Sequence, residues 1–240
     1  MRVLLLAIFA VLSAPCAARV TALAHVTLID GSGAPPRADV TITIANGRIL
    51  DIVAGAGFTP PADGEIIDAT GKFVVPGIIN AHGHVGPLPR DPQLRQYALY
   101  GVTTTTSMYF DPDDIADFKA RQAEGILDGA RILTVKYRFM SPPFIPGSEV
   151  RTPEAARAKV DEIVARGADF VKVWIDAGNG SFPKLSREFC AAVLEEARRH
   201  GKITMAHVFD YADARMIVDE GVNILAHNVR DTVIDDGFVA

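Results

Sequence analysis

Cysteine is scarce: the 240 residues contain two, Cys16 and Cys190. Cys16 lies in an N-terminal leader, so a processed chain keeps Cys190 alone and can close no internal disulfide. Export must therefore be argued from the leader and not from cysteine usage. No basic block and no basic stripe interleaved with aromatics occurs, and the formal net charge is -5. Nucleic acid binding has no support from such a pattern. No apolar run reaches the ~20 residues needed for a bilayer span. Low-complexity tracts and exact internal repeats are also missing. What is present is ordinary globular composition, 49% hydrophobic and 22% charged, in a chain long enough to bury a core.

Residues 1–18 differ from the rest. Arg2 is followed by the apolar stretch Val3 to Leu12 and then by small residues through Ala18. A weakly charged start, a short apolar core and a small-residue zone predict a cleaved export signal, cut after Ala18. The expected destination is the periplasm. A buried N-terminal helix is the other reading, and a lipoprotein at Cys16 is disfavoured by Pro15 directly before it.

Two regions follow. Residues 19–73 read as a small β layer. It has strands at His25 to Ile29, Val40 to Ile44 and Arg48 to Val53, a hairpin signal at Asn46-Gly47, and further strand candidates near Glu65 to Ile67 and Lys72 to Val75. Residues 74–240 change rhythm to strand, loop, helix. The apolar run Phe73 to Asn80, without polar alternation, reads as a strand buried on both faces. Five more strands are expected, at Val102 to Met108, Arg131 to Tyr137, Asp169 to Asp176, Lys202 to His207 and Val222 to His227. Helices are expected at Asp113 to Leu127, after Thr152-Pro153, after Ser186, at Ala212 to Glu220 and at Val233 to Ala240. Alternating βα units imply a parallel sheet with right-handed crossovers. The expectation is an α/β chain carrying six of the eight units of a (β/α)8 barrel. Such a chain would expose the edges of strands one and six and apolar faces with them.

His82-Gly83-His84 closes the first of these strands. Alternate side chains of a strand point the same way, so the two imidazoles share one face with a bare glycine between them. His207 and His227 close two later strands. Four of the six histidines thus fall at strand C-terminal ends, where a parallel barrel keeps its chemistry. Imidazole is the commonest ligand for zinc-like metals. His25 in the β layer and His200 at a helix end are read as non-ligands. Lys172 sits in the apolar strand Asp169 to Asp176, with Trp174 and Asp176 on its face. A buried ammonium is costly unless its charge is paired or removed, so Lys172 either reaches an edge or carboxylate or has its charge taken away.

These stretches resemble the amidohydrolase superfamily, in its imidazolonepropionase-like and Xaa-Pro dipeptidase-like branch. The resemblance rests on Ile29-Asp30-Gly31-Ser32-Gly33, on Ile67 through His84, on Gly101-Val102-Thr103-Thr104, on Lys172 and on His207 and His227. It implies a (β/α)8 barrel with a small β-sandwich portion, and a site holding two divalent metal ions, usually zinc. His82 and His84 would bind one ion, His207 and His227 the other, and Lys172, carboxylated by CO2, would bridge them. Carboxylation would also remove the buried cation. The implied reaction is hydrolysis of a carbon–nitrogen bond in an amide, dipeptide or cyclic amide by water activated at the metals. The family's aspartate on barrel strand eight has no counterpart, so no catalytic residue is assigned; Asp111 and Asp176 lie near strand ends but do not fit that place. Two rivals stay open: an inactive chain with residual metal binding, and a lactonase or phosphoesterase using the same metal cage. The substrate would be a small or peptide-like molecule, and homo-oligomerisation is compatible with the exposed edges. The Pro-rich loop from Arg138 to Val150 is expected to lie over the site.

Overall fold

The computed structural model of the chain describes residues 20–59, 64–85, 90–108, 115–140 and 150–239. The expected leader at 1–18, Asp111 and most of the Pro-rich loop fall outside the described residues. Two compact units are present, Met1–Pro76 and Gly77–Ala240.

In the first unit, strands β1 (Thr21–Leu28), β2 (Arg37–Ala45), β3 (Arg48–Ala54), β4 (Glu65–Asp68) and β5 (Phe73–Val74) form one sheet. β1 and β2 pair antiparallel, as do β2 and β3, whereas β4 and β5 run parallel to β1. Asn46 (φ 51°) and Gly47 (φ 68°) both take left-handed backbone, the requirement of a type I′ hairpin turn. Val26, Leu28, Val40 and Ile42 form the buried face.

The second unit is a mixed α/β body of parallel strands. β6 (Ile78–Asn80), β7 (Val102–Ser107) and β8 (Arg131–Thr134) form one parallel sheet. β9 (Arg138–Met140), β10 (Phe170–Ile175), β11 (Ile203–Val208) and β12 (Ile224–Leu225) form the other. The expected third strand, Arg131 to Tyr137, is thus broken into β8 and β9. Lys136 sits at φ 59°, and its N–H donates to Thr134 Oγ1 at 2.9 Å. This kink passes the chain from pairing with β7 to pairing with β10. Asp169 spans the gap: its N–H donates to Thr134 O at 2.8 Å, its carboxylate accepts the Thr134 N–H at 2.8 Å, and Lys119 pairs with it at 2.6 Å.

Helices α1 (Arg90–Leu99), α2 (Ile115–Ala123), α3 (Pro153–Ala165), α4 (Arg187–Arg199), α5 (Tyr211–Asp219) and α6 (Asp236–Val239) alternate with the strands. α3 and α4 start where their caps predict. The Thr152 hydroxyl accepts from Ala155 N–H, and the Ser186 hydroxyl accepts from Phe189 N–H. Phe189, Val193 and Ala197 of α4 pack with Val160 and Ile163 of α3 over Val171, Val173 and Ile175 of β10. The sequence carries no helix signal for α1: RDPQLRQYAL has too few apolar residues for a stripe, and among its described side chains Leu94 alone is buried in the core. No described helix is long and apolar enough to cross a membrane.

The expectation that β6 is buried on both faces is overturned: Ile78 is 58% and Ile79 65% exposed. Among the described residues the strand has a single neighbour, β7, so one edge and much of its face stay open there. Ile224 on β12 is exposed as well.

Candidate functional site

The parallel strands of the second unit bring all five sequence-predicted residues together, the four histidines near strand C-terminal ends and Lys172 in the middle of its strand. β6 leads into His82 and His84, β10 carries Lys172, β11 carries His207, and His227 follows β12. The imidazole centroids of His82 and His84 are 5.4 Å apart, those of His82 and His227 4.5 Å, and those of His207 and His227 4.4 Å. Lys172 Nζ lies 3.3 Å from His82 Nε2.

Local packing explains why His82-Gly83-His84 holds its shape. Gly83 is buried against β7; an added Cβ would lie 2.4 Å from Thr105 Oγ1 and 2.5 Å from Thr106 O. The Gly83 N–H donates to Thr106 Oγ1 at 3.1 Å, and Gly83 O accepts the Met108 N–H at 2.9 Å. Asn80 Oδ1 accepts the His82 N–H at 3.3 Å. The Thr106 hydroxyl, which also donates to Asn80 O at 3.4 Å, clamps this turn to β7, a role the strand propensity of the β-branched run Thr103 to Thr106 does not reveal.

Two of the rings are held by acceptors. His82 Nδ1 lies 3.1 Å from Ala226 O. A carbonyl can only accept, so Nδ1 carries the proton and Nε2 keeps a lone pair toward Lys172. His207 Nε2 lies 2.9 Å from Asp176 Oδ2, and its ring stacks on Trp174 with centroids 3.9 Å apart and planes 16° from parallel.

Burial, followed by the Lys172 charge, lowers the pKa of His82 and His84. Burial also lowers His207, against the opposing pull of Asp176. His227 is pushed down to about 4, by burial first and then by His207, His82, Lys172 and Arg230. Lys172 is 1% exposed, and burial, followed by the charge of Arg138, lowers it to about 8. Four imidazoles biased to the neutral form and a lysine biased toward the neutral amine make a set of lone-pair donors. That donor chemistry fits a zinc-like cation.

Two further residues of this site were not predicted as site members. Asp176 was read as a carboxylate near a strand end, without a role. Arg138 follows the kink after β8, is buried, stands opposite Lys172 in register and lies 4.5 Å over the Trp174 ring. No sequence signal marked it, because the break between β8 and β9 decides which way it faces.

A second cluster lies elsewhere, on α3 and α4. Asp161, Glu196 and His200 have ligand-type atoms mutually within 4.8 Å. Each already has a partner: His200 Nε2 is 2.6 Å from Asp161 Oδ1, and Arg199 is 3.0 Å from Glu196. His200, read from sequence as a helix-end residue, caps α4 and ties it to α3. Cys190 is buried, and burial pushes its thiol up to about 12, so it is no nucleophile at neutral pH.

Comparison with known proteins adds to this geometry. No family model matches the chain. Adenine deaminase of Listeria innocua is 33% identical over 132 residues, which cover 47% of this chain and 22% of that one. A solved structure of a candidate prolidase from Bifidobacterium longum superposes with a TM-score of 0.77 at 28% identity, over 92% of this chain and 56% of that chain. Molinate hydrolase superposes with a TM-score of 0.77 at 21% identity, over 92% of this chain and 61% of that chain, a likeness of fold. The chain spans less than two thirds of the length of each of these proteins.

Proposed function

We propose that the chain belongs to the amidohydrolase superfamily and is a metal-dependent hydrolase acting on carbon–nitrogen bonds of an amide, a dipeptide or a cyclic amide, a reading supported by its likeness to an adenine deaminase and to a candidate prolidase. The observation that carries this reading is the convergence of His82, His84, His207 and His227, which lie near strand C-terminal ends, with Lys172 of β10 in one cluster. His82 and His84 would hold one divalent ion and His207 and His227 a second, with Lys172 between them as a carbamate. Bound ions would supply Lewis acidity toward a carbonyl oxygen and lower the pKa of a water molecule.

The chain's own groups prepare that site. The Ala226 carbonyl and the Asp176 carboxylate fix two rings. Burial biases the imidazoles toward the neutral form and lowers Lys172 to about 8. The neutral amine is the nucleophile that attacks CO2, forming the N–C bond and releasing a proton, and the lowered pKa of Lys172 enlarges its neutral fraction near neutral pH. Arg138 adds a fixed positive charge beside Lys172, which suits a substrate bearing an acidic group. The leader at residues 1–18 supports export to the periplasm as part of the same reading.

The test is a hydrolysis panel on the full chain supplied with Zn²⁺ and bicarbonate: acyl amides, dipeptides and cyclic amides, with lactones and phosphotriesters alongside. Turnover of a C–N substrate that falls more than about a hundred-fold in His207→Ala is expected, a ligand being worth at least as much as its outer-shell partner. Turnover confined to lactones or phosphotriesters would instead establish the same cage acting on C–O or P–O bonds.

A further inference from the structure

The strand that carries Lys172 also supplies two contacts to His207, one on the ring's face and one on its edge. Lys172, Trp174 and Asp176 are alternate residues, so they share one side of β10 and its continuation. Trp174 stands opposite His207 in the β10–β11 register and stacks on its ring at 3.9 Å. Asp176 Oδ2 meets Nε2 at 2.9 Å. The carboxylate is itself anchored, since its Oδ1 accepts the Gly178 N–H at 2.7 Å.

An ionised carboxylate only accepts hydrogen bonds. The proton of a neutral His207 therefore sits on Nε2, and Nδ1 keeps the lone pair. His82 is the mirror case, because the Ala226 carbonyl takes its Nδ1 proton and leaves Nε2. We propose that Asp176 is a positioning residue that, together with Trp174, sets the tautomer and plane of His207 so that Nδ1 is its metal-ligating atom. The ligating role rests on the metal-dependent reading above; the tautomer does not. The two histidines are thus held in opposite tautomers, one by backbone and one by a side chain, and the side chain is open to substitution.

The test uses the full chain labelled with ¹⁵N-histidine, metal-free at pH 8, with long-range ¹H–¹⁵N spectra and His207 assigned by its loss in His207→Gln. Asp176→Asn keeps a carbonyl for the Gly178 N–H but turns an NH₂ donor toward Nε2. The wild type is expected to show His207 protonated on Nε2, and Asp176→Asn to invert it to Nδ1. Co²⁺ affinity, read by visible absorption, should fall ten- to a hundred-fold in the variant, the usual effect of losing an outer-shell carboxylate. A purely structural Asp176 would leave the tautomer unmoved. An Nδ1-protonated wild type, or the same tautomer in both proteins, overturns the proposal; the wild-type spectrum alone decides this if the variant does not fold. Wild-type protein with the expected tautomer but no Co²⁺ binding would remove the metal-dependent reading and, with it, the ligating role of Nδ1.

Discussion

Gly83 shows how much of the site depends on a side chain that is not there. A Cβ at this position would meet backbone, Thr106 O at 2.5 Å, and backbone cannot rotate away. Gly83→Ala should therefore cost about 1–3 kcal/mol, the usual range for overpacking, and should also displace His82 and His84. Chemical denaturation checks the first effect and Zn²⁺ affinity the second; an alanine variant with unchanged affinity would show that the turn yields. Cys190 gives a pH prediction. Its folded pKa, about 12, lies above that of an unfolded thiol, so the folded state retains a proton the unfolded chain releases. That contribution is intact below about pH 8.5 and is lost as pH rises above it. The Cys190 peptide should resist alkylation in native protein and react only on unfolding, and Cys190→Ala should flatten the fall in stability between pH 9 and 11. At this scale the ligand candidates were legible, because histidines at strand ends and a lysine in an apolar strand are anomalies of pattern. Arg138 and the Asp176 contact were not, because they depend on a kink and a register that periodicity does not encode.

The elements that read best from sequence carry two independent signals. α4 has Ser186 as cap and a full apolar stripe, and it spans Arg187–Arg199 in the structure. Ser186→Ala removes the acceptor of the Phe189 N–H and should lower stability by about 1 kcal/mol, measurable as a shift in denaturation midpoint at constant slope. α1 failed to read because its one deeply buried residue, Leu94, cannot make a period. β8 and β9 were read as one strand because Val135 and Tyr137 are good strand residues; the turn at Lys136 is fixed by the Thr134 hydroxyl, a local hydrogen bond that competes with the ladder.

Across the second unit, the parallel strands leave an apolar edge open. Ile78 and Ile79 on β6 and Ile224 on β12 are exposed, and such edges template association. The purified chain should self-associate at micromolar concentration, and Ile79→Lys should shift sedimentation toward monomer; a monodisperse wild type would contradict this. The alternation of elements made the α/β class legible, while burial of β6 was misjudged because an apolar run reports what a strand can bury and not which neighbour buries it. The central claim is that the converging histidines and Lys172 form a metal site. The measurement that tests it most directly is elemental analysis of the full chain after Zn²⁺ loading and desalting, beside a His82→Ala, His84→Ala double variant. The account predicts about two ions per wild-type chain, as for a paired-metal hydrolase site, and clear loss in the variant; zinc at background in the wild type, or equal zinc in both proteins, would contradict it.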